Sequence, residues 1–234
     1  MVDSKARPEG FWLPCRKAGV SREHVWQICR GLHRSCVKLS IMSYSELPLF
    51  PLNTVLFPGG VLPLRIFEPR YLDMVKECMR NNHGFGVCMI LQGEEVGHHT
   101  ASAALGCEAR IIDFDQTPDG LLAITAQGGR RFHVEQVKIR GNGLVIGEVS
   151  WLPDLAEVPV APEYHVLSQI LQRIMDKAEI SFDKPDLENA DWVGWRLAEW
   201  LPLSNLERQE LLQESDAHLR LQSLLDKIPN FQSI

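Results

Sequence analysis

Residues 47–71 read LPLFPLNTVLFPGGVLPLRIFEPRY, two apolar runs separated by a turn and followed by a helix start. The first run contains Pro48 and Pro51, which have no backbone N–H to donate to a neighbouring strand. We therefore predict an edge or lead-in strand here, continued by residues 55–57. Residues 58–60 are Pro-Gly-Gly, a sequence typical of a turn. This stretch predicts two short strands joined by a tight connection.

The second apolar run, residues 61–67, carries a single charge, Arg65, and predicts a compact strand. Pro69 follows, and proline is favoured at the first helical position because the N–H that it lacks has no partner there. Residues 69–82 then show the apolar spacing of an amphipathic helix. The residues predicted to lie on its buried face are Tyr71, Leu72, Val75, Cys78 and Met79.

Beyond this helix the pattern is that of a β-rich region. Residues 85–91 form a continuous apolar run, typical of a strand buried on both faces, and residues 105–114 alternate apolar with charged positions. Residues 121–126 and 131–137 are predicted to form a hairpin with a short glycine loop, and residues 144–152 a last strand. About six or seven strands at hairpin spacing predict a closed or nearly closed β-barrel.

The apolar spacing becomes helical after residues 153–162, a stretch with three prolines that predicts a linker. Ser204 is followed three residues later by Glu207, a pattern typical of a helix amino-terminal cap. The predicted helical stretches are residues 163–180, 191–201 and 203–228, the last divided into two helices.

These patterns predict an α+β chain in three segments. Residues 42–155 are expected to form the β-barrel with its one early helix, and residues 156–234 a helical bundle. Residues 1–41 differ in charge, with eight Lys or Arg against three acidic residues and a net charge of +5. Since the whole chain carries −6, the remaining residues carry −11.

We expect residues 1–41 to be a basic extension, either disordered or placed upstream of the natural start by a misassigned start codon. Met42 is then the first native residue. A transit peptide and a basic tail that binds nucleic acid are the alternatives. The mass of the intact native protein distinguishes them.

Composition argues against several classes of protein. No apolar run approaches the roughly 20 residues needed to span a bilayer, so we expect no membrane partner. The six cysteines lack paired metal-binding spacing, which predicts free thiols in a reducing cytoplasm. His98 and His99 have no third ligand nearby in the sequence, so we predict no metal site. No phosphate-binding GxxxxGK[ST] motif is present, and we predict no cofactor.

The quoted stretch resembles the amino-terminal domain of the Lon ATP-dependent protease, whose signature is similar to PLFPL…LFPG…PLRIFEPRY. A second similar segment, LPLSNLERQELLQESDAHLRLQSLL, lies near the carboxy terminus, and the resemblance covers residues 44–228. It implies a PUA-like β-barrel followed by a helical bundle. It includes neither the ATPase nor the protease domain of that family, so it implies a stand-alone substrate-binding domain that is not an enzyme.

The function implied by the resemblance is recognition of unfolded or degron-bearing polypeptides, with an adaptor in protein quality control as one form of it. An apolar groove would hold exposed hydrophobic segments, or a strand edge would pair with them. RNA binding is an alternative taken from other PUA-like barrels, although the acidic body opposes phosphate contacts. A small-molecule sensor or hydrolase is a third hypothesis, for which no nucleophile–base arrangement is visible. The oligomeric state stays open.

Four residues are predicted to contribute to binding, namely Arg65, Glu68, Arg70 and Arg130. The first three would form a charged rim at a peptide groove. In the structural alternative they are an internal set that ties the strand end to the helix start, with Glu68 near the positive end of the helix dipole. Arg130 alternatively belongs to a solvated strand edge. No catalytic residue is predicted.

Overall fold

The computed structural model describes residues 45–92, 101–154, 157–180, 182 and 184–228. All of them lie within one unit, residues 42–234. The predictions for residues 1–41 and for His98 and His99 concern positions outside the described residues.

The described residues form seven β-strands and five α-helices. The strands are β1 (Ser45–Leu52), β2 (Val61–Ile66), β3 (Phe85–Gln92), β4 (Ala101–Ser102), β5 (Leu105–Gln116), β6 (Leu122–Ile139) and β7 (Val145–Trp151). The helices are α1 (Pro69–Asn81), α2 (His165–Ala178), α3 (Ala190–Trp200), α4 (Asn205–Gln213) and α5 (Ala217–Lys227), with a 3-10 turn at Pro162–Tyr164. The α+β class is confirmed. None of the described helices is both long enough and apolar enough to cross a membrane.

The strand pairings return to their starting point. β1 pairs antiparallel with β7, β7 with β6, β6 with β5 and β5 with β3, and β3 pairs parallel with β1. β4 extends the edge of β3, and β2 pairs with the first part of β6. The description of this ring as PUA-like stays a prediction of the family resemblance.

The hairpin predicted between residues 121–126 and 131–137 is wrong, because both lie in the single strand β6. Gly128 in this strand is hydrogen-bonded to the turn at residues 58–60, which leads into β2. Its N–H donates to the Gly60 carbonyl and its carbonyl accepts from the Gly59 N–H, both at 2.8 Å. A Cβ atom at position 128 would lie 2.0 Å from the carbonyl oxygen of Phe57. Position 128 therefore requires glycine because two backbones approach closely there, and not because the chain turns.

The predicted continuation of β1 through residues 55–57 is also wrong. β1 ends at Leu52, and residues 55–57 lie outside the sheet although their side chains are buried. Phe57 contacts Trp195 of α3, with ring centroids 5.5 Å apart. Burial against the helices accounts for the apolar character of Val55 and Phe57.

The local signals for helix starts are confirmed. Pro69 is the first residue of α1. At the start of α4, the Ser204 hydroxyl accepts a hydrogen bond from the Glu207 N–H and the Glu207 carboxylate accepts one from the Ser204 N–H, at 3.3 and 2.9 Å. Met79, predicted to be buried, is 45% exposed. The buried stripe of α1 is Tyr71, Met74, Val75 and Cys78.

The strands and the carboxy-terminal helices share one apolar core. Phe57 and Met89 pack in the same cluster as Leu171 of α2, Leu197 of α3 and Leu221 of α5. A second cluster joins the strands to α1. The helical part therefore does not stand apart from the sheet.

Arg131 of β6 joins the sheet to the end of α4. Its Nη1 atom donates to the carbonyl oxygens of Leu212 and Glu214, at 2.8 and 3.1 Å. The last carbonyls of a helix have no partner inside the helix and need donors from elsewhere. The guanidinium lies 5.5 Å from the centroid of Trp195, so Arg131 contacts two helices at once.

Arg220 of α5 is fully buried beside the same residues. Its guanidinium lies 3.5 Å from the centroid of Trp195 and forms an ion pair with Asp191. It also donates to the carbonyl oxygens of Leu211 and Glu214. The two arginines thus supply hydrogen-bond donors to the carboxy-terminal end of α4.

Candidate functional site

β2 lies at an open edge of the sheet. It pairs antiparallel with β6, and no other strand of the described residues pairs with it. Its side chains alternate in burial: Leu62, Leu64 and Ile66 contribute to the cluster shared with α1, whereas Val61 and Arg65 are exposed. β2 therefore has an apolar face, a solvent face and an edge available for pairing.

An apolar cavity of about 310 Å³ lies beside β2. Two of its buried lining residues are Phe50 and Tyr71, whose rings stack with centroids 4.0 Å apart. Phe67, 56% exposed, also lines it. A cavity of about 150 Å³ is enough to hold benzene, so this one has room for a large apolar side chain. We call it the β2 cleft, lined by Phe50, Leu52, residues 63–68 and Tyr71.

A second cavity, of about 490 Å³, lies over the part of the sheet formed by β2, β6 and β5. The register pairs Arg65 with Ala123 and Ala123 with Asp115, and it pairs Thr125 with Asp113. Directly paired residues share a face of the sheet. On this face, Ala123 and Thr125 of β6 therefore lie between Arg65 of β2 and the two aspartates of β5. We call this cavity the charged trough, lined by residues 63–65, 113–115, Thr117 and 123–125.

Glu68 and Arg70 form an ion pair at the junction of β2 and α1, as the structural alternative predicts. Arg70 Nη2 lies 2.8 Å from Glu68 Oε2, and both side chains are largely buried. Arg70 also donates to the Gly143 carbonyl at 3.2 Å, and its guanidinium lies 4.7 Å from the centroid of Tyr71. The pair therefore supports the aromatic lining of the β2 cleft. A direct binding role for either residue stays a prediction.

Arg65 and Arg130 lie in different places. Arg65 is exposed and lines both the β2 cleft and the charged trough. Arg130 packs on Trp151, with its guanidinium 4.3 Å from the ring centroid, beside a separate cavity. The structure thus brings Arg65 and Glu68 together at the β2 cleft and leaves Arg130 apart. Their binding roles stay predictions.

The aromatic lining of the β2 cleft and the acidic wall of the charged trough were not predicted from the sequence. The stack of Phe50 on Tyr71 joins β1 to α1, a contact between segments that no local pattern places together. Asp113 and Asp115 flank Phe114, which is 59% exposed. That alternation of aspartate with an apolar residue is a readable signal of a strand face left without cover.

The turn that leads into β2 is anchored on α3. Arg196 donates to the carbonyl oxygens of Pro58 and Gly59, at 2.7 and 3.1 Å, and forms an ion pair with Glu199 at 3.0 Å. A Cβ atom at Gly60 would lie 2.1 Å from the Glu199 carboxylate. The position of β2 therefore depends on this contact with α3.

Glu199 makes the stability of the fold depend on pH. Burial raises the pKa of its carboxyl to about 7, against the opposing attraction of Arg196 and Arg208. The native state therefore holds this proton more firmly than the unfolded state. The resulting stabilisation is complete below the unfolded pKa of 4.5 and is lost as the pH rises through about 7.

Replacing Glu199 by glutamine is expected to remove this dependence. From pH 5 to pH 8, the free energy of unfolding of E199Q should rise relative to that of the natural chain by up to about 3 kcal/mol. Urea unfolding at a series of pH values measures it. A difference that stays constant across this range would show that the carboxylate remains ionised beside Arg196.

The described cysteines are protonated thiols at neutral pH. Burial raises the pKa of Cys78 and that of Cys88 to about 12, and it also raises the pKa of Cys107. The thiolate is the reactive form of cysteine, so these three side chains are poor nucleophiles. Within the described ranges, no group of three or more His, Cys, Asp or Glu is placed to hold a metal ion.

Comparison with known proteins points to one family. Residues 46–228 match the family model of the ATP-dependent protease La (LON) substrate-binding domain. The Lon protease of Cytophaga hutchinsonii is 27% identical over 199 residues, which are 78% of this chain and 24% of that protein. Lon protease 2 of Myxococcus xanthus is 32% identical over 93 residues, 39% of this chain and 11% of that protein. The chain spans about a quarter or less of the length of these curated relatives.

Solved structures of single domains match over nearly their whole length. A crystal structure of a Lon N-terminal domain protein from Xanthomonas campestris is 47% identical, with a TM-score of 0.68, and the match covers 78% of this chain and 98% of that one. The N-terminal domain of the Mycobacterium avium complex Lon protease is 18% identical, with a TM-score of 0.55 and 97% of its chain covered. The second likeness concerns the fold alone.

Proposed function

Because this chain belongs to the family of the ATP-dependent protease La (LON) substrate-binding domain, we propose that it binds polypeptide substrates without transforming them. The residues matched to the family, 46–228, include every residue that lines the β2 cleft. Our finer proposals are that the substrates are unfolded or degron-bearing chains and that the protein acts as an adaptor in protein quality control.

The observation that carries the proposal is the β2 cleft with its exposed aromatic neighbours. Single exposed apolar residues are normal on a folded protein. Here Phe67 follows β2 directly, and Phe114 shares a sheet face with Leu64 through Ile124. Exposed apolar surface next to an apolar cavity is typical of a site that binds another molecule.

The expected affinity of one such cleft is modest. Burying one leucine or phenylalanine side chain of a client contributes roughly 1.5–3 kcal/mol. Association also costs translational and rotational freedom, so a single anchor does not give tight binding. A shallow site of this kind suits clients of varied sequence, which share exposed apolar side chains and little else.

The two rival functions find less support. The charged trough contains Asp113 and Asp115, and carboxylates repel the phosphates of RNA. A hydrolase needs an activated nucleophile, and the described thiols are buried and protonated. Buried free cysteines also fit the reducing cytoplasm, which we propose as the compartment.

Replacing Phe67 by aspartate is expected to weaken binding of an unfolded polypeptide about tenfold or more, since exposed aromatic anchors dominate such interfaces. The probe is fluorescently labelled lactalbumin that has been reduced and carboxymethylated, so that it cannot refold. Fluorescence anisotropy gives the dissociation constant. Phe67 is largely exposed, so the folded state should survive the change.

The matched control is Ile139→Asp, which removes an apolar side chain of similar exposure at the far end of β6. It should bind the probe like the natural chain. Equal losses in both variants would show that the chain binds through general surface hydrophobicity. No binding by the natural chain would refute the proposed function.

A further inference from the structure

Alternate residues of β2 direct their backbone N–H and carbonyl groups toward β6 and toward the open edge. Proline has no N–H to donate to a paired strand, so within a sheet its backbone groups point away from that strand. We therefore place the backbone groups of Pro63 on the open edge, away from β6. Gly60 gives independent support, because its carbonyl accepts a hydrogen bond from Gly128 of β6. Since backbone groups alternate along a strand, Leu62 and Leu64 face β6, and Val61 and Arg65 face the open edge with Pro63.

The side chains beside this edge also alternate in chemistry. On one face lies the β2 cleft, with Leu64, Phe50 and Tyr71. On the other face lies Arg65, exposed at the margin of the charged trough. A chain laid along the edge in extended form would direct alternate side chains to these two faces.

We infer that β2 binds its substrate as an added β-strand, in which every second side chain is apolar and enters the β2 cleft while an acidic side chain lies opposite Arg65. This inference rests on the proposed function and adds the binding mode and the preferred sequence. Opposite charges on directly paired strand positions attract, and aspartate or glutamate is therefore favoured over lysine at that position.

Pro63 limits the number of hydrogen bonds that an added strand can form with β2. The open edge offers the N–H and carbonyl of Val61 and of Arg65, but only a carbonyl from Pro63. A proline on an edge strand hinders uncontrolled pairing with other sheets. The edge is therefore suited to a short, weakly held segment and not to a long ladder.

The probe for this mode is the blocked peptide Val-Thr-Phe-Asp-Phe-Thr-Val. Its odd positions are apolar and its aspartate is central, so the pattern is the same in both strand directions. The control peptide, Val-Phe-Phe-Asp-Thr-Thr-Val, has the same composition without the alternation. The full chain should bind the first peptide about fivefold or more tightly than the second, as judged by competition with the labelled lactalbumin.

Methylation of single peptide nitrogens tests the backbone pairing directly. In a strand added antiparallel to β2, even-numbered positions turn their N–H toward β2, so methylation of the central aspartate should weaken binding about tenfold. Methylation of either neighbouring phenylalanine, whose N–H points away, should change binding less than twofold. A parallel strand would turn the odd-numbered N–H groups toward β2 and reverse the two responses. Equal effects at neighbouring positions would overturn the inference.

Two variants of the chain complete the test. Pro63→Val supplies the missing donor and should tighten binding of the peptide about fivefold. Arg65→Glu should reverse the charge preference, so that a peptide with lysine in place of aspartate binds better than the original. Unchanged preference in Arg65→Glu would overturn the inference, as would a stable dimer of Pro63→Val that the peptide does not dissociate, since the edge would then belong to a second copy.

Different results would refute the proposed function and the added-strand binding mode. If neither the labelled lactalbumin nor the peptides bind, the proposed function fails. If lactalbumin binds through Phe67 but the peptides show no alternation and no response to methylation, the added-strand mode alone is wrong.

Discussion

Replacing Arg220 by alanine is expected to lower the free energy of unfolding by about 3–5 kcal/mol, the cost of breaking a buried ion pair by removing one partner. The guanidinium is fully buried, pairs with Asp191 and donates to the carbonyl oxygens of Leu211 and Glu214. The change leaves the largely buried Asp191 carboxylate and the Leu211 carbonyl without this donor, and it leaves the Glu214 carbonyl with Arg131 alone. It also opens a cavity beside Trp195. Urea unfolding followed by tryptophan fluorescence measures the loss.

Two comparison variants separate the causes. Arg220→Met keeps most of the buried apolar stem but removes the donors, and it should lose nearly as much stability as alanine. Arg140→Ala breaks an exposed ion pair with Glu77 and should cost less than about 1 kcal/mol. If Arg220→Met were as stable as the natural chain, packing and not hydrogen bonding to α4 would be the role of this arginine.

The second large effect is expected at Gly128, where alanine should destabilise the fold by at least about 3 kcal/mol, at the upper end for overpacked sites. A methyl group there would lie 2.0 Å from the carbonyl oxygen of Phe57 and 2.9 Å from its carbonyl carbon. Both are backbone atoms, so no flexible side chain can move aside. The clash would push the turn before β2 away from β6 and break the paired bonds with Gly59 and Gly60.

Gly141→Ala is the matched control, because a Cβ atom at position 141 would meet no atom within 4 Å. It should change the free energy of unfolding by less than about 0.5 kcal/mol. Gly128→Ala should also weaken binding of the labelled lactalbumin, since the β2 cleft depends on the position of β2. A stable Gly128→Ala variant would show that residues 57–60 shift readily.

Features set by neighbouring residues were predictable from the sequence. Pro69 at the helix start and the Ser204–Glu207 cap depend on bonds within one turn of chain, so the local pattern contains all the information needed. The hairpin in β6 failed for the opposite reason. Gly128 and Gly129 have the composition of a turn, but the reason for Gly128 is a backbone about 70 residues earlier in the chain.

The candidate site also combines features that the sequence predicts with features that only the tertiary fold defines. Arg65 was visible as the single charge in an apolar strand, and its exposure on β2 follows from alternation alone. The β2 cleft was not visible, because Phe50, Leu64 and Tyr71 come from three elements whose contact only the tertiary fold defines. Buried Arg131 and Arg220 also escaped, since arginines in a sequence are normally assigned to the surface.

The pairing of β1 with β7 has a consequence for synthesis of the protein on the ribosome. Ser45 lies opposite Val149, so the earliest described strand finds one of its two neighbours only after roughly 100 more residues have been made. Until then, one edge of β1 is unpaired in the nascent chain, and Leu47 and Leu49 lack the cover that Phe132 and Val149 later provide. We therefore expect a holdase chaperone to engage this segment during translation, and the ring to close late.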